Sequence, residues 1–152
     1  HKLYGVHATG LRFFTVYGPW GRPDMAPVLF AKAIMEDKPI KVFNHGNLSR
    51  DFTYIDDIVG GILKVIDRPD GSPKVYNIGH GSPVNLMDFI TTVEKSLGKT
   101  ALKEYMEMQP GDVHTTYASV EKLRDDFGYE ASTSLDVGIE RFISWFKEYY
   151  KC

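Results

Sequence analysis

Thr9-Gly10-Leu11-Arg12-Phe13-Phe14-Thr15-Val16-Tyr17-Gly18-Pro19-Trp20-Gly21-Arg22-Pro23-Asp24-Met25 is the stretch on which the reading of this chain turns. Leu11 to Val16 is apolar and rich in aromatic and β-branched residues; Gly18-Pro19 stops it, with Gly21 and Pro23 close behind. Such a run, ended that way, predicts a buried strand feeding a tight turn. In open α/β sheets the loop leaving a strand's carboxyl end is where ligands bind. Thr15 and Arg22 offer a hydroxyl and a cation there, among residues that restrict the backbone, which suits an anionic ligand. An ordinary core strand followed by an ordinary loop satisfies the same pattern.

Outward from this stretch, strands and helices alternate. Lys2-Leu3-Tyr4-Gly5 reads as the end of a helix stopped by glycine. Pro27 suits a first helical turn, with Leu29, Phe30, Ala33 and Ile34 at helical spacing and Lys38-Pro39 as the stop. Ile40–Phe43 alternates as a strand, Asn44–Asn47 turns it back, and Arg50–Ile55 reads as a second strand. Asp56 or Asp57 is the expected cap of a helix burying Ile58, Ile62, Leu63 and Ile66. Arg68–Pro73 is a turn, and Val75–Gly79 a strand whose apolar look fits the interior of a parallel sheet.

Asn85 caps a strongly marked helix with Leu86, Phe89, Ile90, Val93 and Leu97 on one stripe and Gly98 at its end. Leu102–Met108 alternates as a strand. Val120, Leu123 and Phe127 mark a short helix, and Ser134 opens a last one burying Leu135, Ile139, Phe142, Ile143 and Phe146. Interleaved elements of both kinds predict α/β or α+β architecture with mixed pairing.

The 152 residues suit one domain with a real core, and 43% hydrophobic and 25% charged residues are ordinary for a globular chain. A net charge of -2 argues against broad attraction to nucleic acid or anionic membrane. No segment has the length of a membrane span, and the single cysteine, Cys152, fits a reducing compartment such as cytoplasm. The first residue is His1 rather than Met, so the chain is expected to be a processed product or a piece of a longer one.

His1, His7, His45, His80 and His114 share no ligand spacing, so no metal site is expected. There is no G-x-S-x-G elbow, and Gly79-His80-Gly81 lacks the third glycine of a dinucleotide fingerprint. None of the nine tyrosines stands four residues before a lysine, so no catalytic residue is assigned. What remains is Thr15, Arg22, Arg50, Gln109 and Asp112 near strand ends. Arg50 suits a pair of phosphates; an ion pair with Asp51 or Asp56 explains it equally well. Asp112 suits a ribose diol or a plain turn, and Phe43 a base-stacking platform or core.

Taken together, Leu11–Pro19, Arg50-Asp51-Phe52-Thr53-Tyr54-Ile55-Asp56-Asp57 and Val75-Tyr76-Asn77-Ile78-Gly79 resemble the nucleotide-sugar epimerase/dehydratase family of extended short-chain dehydrogenase/reductases. Thr15 followed by Val16–Ala26 is similar to its UDP-glucuronate 4-epimerase branch. The resemblance covers essentially all of residues 1–152, and implies a single carboxyl-terminal substrate-binding α+β fragment with the last Rossmann strands. The NAD-binding Rossmann part, with its glycine fingerprint and tyrosine–lysine pair, would be absent.

The resemblance implies that Arg50 holds the UDP diphosphate, Phe43 packs by the uracil, and Asp112 with Gln109 reaches the ribose and diphosphate region. Thr15 and Arg22 would meet the sugar carboxylate with Met25 beside them, and Phe14 and Pro19 would line the nicotinamide face of NAD. The parent would be a homodimer acting on a UDP-sugar, the fragment by itself inactive. A related epimerase, dehydratase or decarboxylase, or a non-catalytic binding module, are the alternatives.

Overall fold

The computed structural model describes residues 1–67 and 74–151, so the expected turn at Arg68–Pro73 and the cysteine Cys152 lie outside the described residues. In chain order the elements are β1 (Thr9–Phe13), β2 (Thr15–Tyr17), α1 (Ala26–Met35), β3 (Ile40–Phe43), β4 (Ser49–Arg50), β5 (Phe52–Tyr54) and α2 (Ile55–Asp67). They continue with β6 (Lys74–Ile78), β7 (Val84–Asn85), α3 (Leu86–Leu97), β8 (Lys103–Met106), α4 (Glu121–Phe127) and α5 (Leu135–Tyr150).

The opening strand is not one strand. β1 runs parallel to β6, and after Phe14 the chain changes partner and continues as β2, parallel to β5. Two hydrogen bonds make the handover: Phe14 N–H donates to the Ile78 carbonyl (3.3 Å) and Thr15 N–H to the Asp51 carbonyl (3.2 Å). Nor is the run buried throughout: Phe13 is exposed, Leu11 and Val16 pack against a core only in part, and full burial comes at Tyr17. The other pairs are β3 with β8, parallel, and β4 with β7, antiparallel. Asn44–Asn47 therefore does not fold a hairpin; β3 and β5 join different partners. β6 likewise pairs with β1 alone among the described residues, and Val75 is exposed rather than interior.

Two cores result. One gathers β2, β3, β5, α1, α3 and α5 around Tyr17, Phe52, Phe89 and Phe142; the other packs β6, α2 and α4 around Ile58, Tyr76, Leu123 and Tyr129. α3 forms as its sequence dictates. The Asn85 side-chain oxygen accepts from Met87 N–H at 2.8 Å, Gly98 adopts φ 71° beyond the last turn, and the expected five-residue stripe is buried. In α2 the buried face is Ile58, Gly61 and Val65, whereas Leu63 and Ile66 are exposed, because the helix rolls its glycine onto Ile78 and Tyr129. Asp56 and Asp57 lie inside its first turn, where the helix dipole favours them, and Asp57 accepts from the Ser132 and Thr133 N–H groups. α5 approaches β2 closely at Gly138, where any Cβ would overlap the Tyr17 hydroxyl.

Candidate functional site: a cleft and a smaller cavity, each with an arginine

A cleft of about 720 Å³ opens where α1, β3, the β4–β5 junction and the loop after β8 meet. Its walls include Thr15, Met25, Phe43, Arg50, Gln109 and Asp112, so six of the nine site residues expected from sequence share one cavity. Phe14, Pro19 and Arg22 line a second cavity of about 330 Å³, and Met25 belongs to both walls. Thr15 sits at the start of β2 rather than in a loop after a strand. Leu29, at helical spacing with Phe30, Ala33 and Ile34, is exposed on the α1 face that borders the cleft.

On the wall of the large cleft, Arg50 is half-buried and heavily held. Its Nη2 donates to Asp112 Oδ1 at 2.5 Å, and its Nη1 to the Ser49 carbonyl (2.9 Å) and the His114 carbonyl (3.3 Å). The partner is thus neither Asp51 nor Asp56; it lies far along the sequence, in a loop turned by Gly111 at φ 83° and by Asp112 N–H donating to the Gln109 carbonyl. That loop is zipped to β4: Ser49 N–H donates to His114, and Thr116 N–H returns to Ser49.

Asp51 locks the zipper from beneath. It is fully buried, no ion pair reaches it among the described residues, and its Oδ1 accepts from His80 N–H (2.7 Å) and the Thr53 hydroxyl (3.3 Å). Its Oδ2 accepts from Gly81 N–H (3.0 Å) and Ala118 N–H (2.9 Å). A buried carboxylate is tolerable when its lone pairs are filled in this way. Gly79 is obligatory beside it, since a Cβ there would meet the Ala118 methyl at 2.5 Å. No signal in a single sequence separates this aspartate from a surface one.

On the smaller cavity, Arg22 is 73% exposed and its fork is filled by a near neighbour. Nε donates to Asp24 Oδ1 (3.1 Å) and Nη2 to Asp24 Oδ2 (2.5 Å). This pairing holds the Asp24 carboxyl below its ordinary range. Asp24 lines the large cleft while Arg22 lines the small cavity, so their ion pair bridges the two. The backbone beneath is fixed: Gly21 N–H donates to Gly18 and Met25 N–H to Arg22, and Trp20 packs on Trp145 (5.6 Å) and Tyr149 (5.3 Å) of α5. Lys41 is a further cation on the cleft wall, and its signal was available: it stands two residues before Phe43 on an alternating strand. Among the described residues no three His, Cys, Asp or Glu side chains gather as a metal site, and no helix is long and apolar enough to cross a membrane.

Residues 1–79 match the model of the NAD dependent epimerase/dehydratase family. The chain belongs to that family. It is 50% identical to Protein CapI of Staphylococcus aureus over 98% of its own length and 50% of the relative's. To UDP-glucuronate 4-epimerase 2 of Arabidopsis thaliana it is 42% identical, covering 99% of itself and 38% of that protein. The fold superposes on the crystal structure of UDP-glucuronic acid 4-epimerase from Bacillus cereus, in complex with UDP-glucuronic acid and NAD, with a TM-score of 0.92. That match carries 36% identity and covers 99% of this chain and 48% of that one. The architecture is therefore the α/β fold of the extended epimerase/dehydratases, and the chain spans about half the length of the relatives it matches, or less.

Proposed function

We propose that this chain is the sugar-nucleotide grip of an NAD-dependent UDP-glucuronate 4-epimerase, which interconverts UDP-glucuronate and UDP-galacturonate. The observation that carries the reading is the gathering of Thr15, Met25, Phe43, Arg50, Gln109 and Asp112 in one cleft, with Arg22 where it meets the smaller cavity. Arg50 takes the diphosphate: two carbonyls and Asp112 fix its guanidinium plane, and donors remain over for phosphate oxygens. Phe43 supports the base. Asp112 and Gln109, on the turn facing Arg50, reach the ribose and diphosphate. Thr15 and Arg22 hold the uronate carboxylate, an interaction worth roughly 1.5–3 kcal/mol for a charge-assisted hydrogen bond.

The small cavity fits one face of a nicotinamide, since Phe14, Val16 and Pro19 give it an apolar wall. A bound NAD supplies the acceptor and donor of hydride at the sugar's C4. These 152 residues supply no glycine-rich phosphate cradle and no tyrosine–lysine pair, so in this reading the chain by itself does not turn over UDP-glucuronate. The whole enzyme, in the same reading, is a homodimer in a reducing compartment, which suits a sequence with one cysteine.

Titration calorimetry tests the proposal. UDP-glucuronate should bind about tenfold or more tightly than UDP-glucose, and Arg22→Ala should abolish the difference. Equal affinities that Arg22→Ala leaves unchanged would remove the carboxylate from the account, and no heat with UDP itself would remove the nucleotide.

A further inference from the structure

The cation assigned to the sugar's carboxylate already holds a carboxylate. Asp24 presents both oxygens to the Arg22 fork, at 3.1 and 2.5 Å, in the two-pronged geometry that an incoming uronate would need. Asp24 also lines the large cleft, so its negative charge stands on the wall of a cavity read as binding an anionic ligand. The backbone on both sides of the pair is tied down by the Gly18–Gly21 and Arg22–Met25 hydrogen bonds and by Trp20 on α5. What is free to exchange is the side chains, both well exposed.

We infer that Asp24 occupies Arg22 as an internal stand-in for the sugar's carboxylate, so that a uronate ligand must displace it and a neutral hexose need not. The inference rests on the reading of Arg22 given above. Asp24 is then a positioning residue acting through Arg22. It keeps the guanidinium paired and aimed at the junction of the two cavities while no ligand is present, and it subtracts from uronate affinity what its own pair is worth. Exposed ion pairs of this kind are modest, which keeps the exchange reversible.

Calorimetry on the full chain with UDP-glucuronate and UDP-glucose, for wild type, Asp24→Asn, Asp24→Glu and Arg22→Ala, tests it. Asp24→Asn should tighten UDP-glucuronate about two- to fivefold, the loss of one exposed ion pair, and leave UDP-glucose unchanged. The gain should shrink as salt is raised, since the displaced pair is exposed. Asp24→Glu, which keeps the carboxylate, should bring uronate affinity back toward wild type. The inference is overturned if Asp24→Asn leaves uronate binding unchanged or weaker while Arg22→Ala still weakens it. It is equally overturned if Asp24→Asn tightens both ligands alike, which would mark a general charge effect on the diphosphate. If Arg22→Ala changes nothing, the fault lies instead with the carboxylate reading itself.

Discussion

Arg50 on the cleft wall and Arg22 on the smaller cavity beside it are each paired with an aspartate, and there the likeness ends. Arg50 finds Asp112 through tertiary structure and adds two backbone carbonyls, in a half-buried setting that a locked loop maintains. Arg22 finds Asp24 two residues away, with both side chains well exposed. A charge held from several sides is a fixed feature of the fold; one held by a flexible neighbour is a feature that a ligand can take over. The difference matches what each arginine would grip: a diphosphate present in every UDP-sugar, and a carboxylate present only in some.

Breaking the lock beneath Arg50 should have the largest effect. Asp51→Asn replaces one oxygen by an NH₂ group, which meets the Gly81 and Ala118 N–H groups in one orientation and the His80 N–H in the other, where the Thr53 hydroxyl can turn to accept. The expected loss is about 3–5 kcal/mol, read as a fall in the urea midpoint at unchanged slope. The floor under the Arg22 loop is tested next. Gly138→Ala drives a methyl into the buried Tyr17 ring system and should cost about 1–3 kcal/mol by overpacking, measured in the same way.

Arg50→Lys probes the fixed arginine itself. A lysine cannot serve the carbonyls, Asp112 and two phosphates together, so UDP affinity should fall by about tenfold in calorimetry. At the loosely held arginine, Arg22→Ala should shift stability by no more than about 0.5 kcal/mol while it removes the preference for a uronate. Equal stability losses for the two arginines would erase the contrast between them.

Alkaline pH separates buried floor from exposed pair. Burial raises the Tyr17 and Tyr129 hydroxyls well above the ordinary tyrosine value, with nearby aspartates adding to the shift. Their neutral forms therefore stabilise the fold fully below about pH 10, and that stability drains away as pH climbs toward the folded-state values. Urea midpoints should hold up to about pH 9 and fall beyond about pH 10, less steeply in Tyr17→Phe.

What is legible in the sequence is what local chemistry decides. Asn85 and Gly98 bound α3 through hydrogen bonds to their own helix, and the stripe between them needs no distant partner. The break at Phe14 was not legible, because it arises where β6 ends and β5 begins, and both lie far downstream. Leu63 and Ile66 have the right periodicity for burial, but the face of α2 that packs was chosen by Gly61, whose lack of a side chain admits Ile78 and Tyr129.

The same division holds in the cleft. The site residues could be nominated by type and position, Phe43 at a strand end and Asp112 in a Pro-Gly-Asp turn. The pairing of Arg50 with Asp112, and the burial of Asp51 rather than its exposure, depend on a loop more than sixty residues away. Asp24 stood in plain view beside Arg22, yet its meaning comes from lining the cleft, which spacing does not record.

The decisive measurement is a crystal structure of this chain soaked with UDP-glucuronate. It should show the diphosphate against Arg50, the uracil by Phe43, and the sugar carboxylate on Thr15 and Arg22 with Asp24 turned away. A ligand bound with its phosphates remote from Arg50, or its carboxylate remote from Arg22, would contradict it.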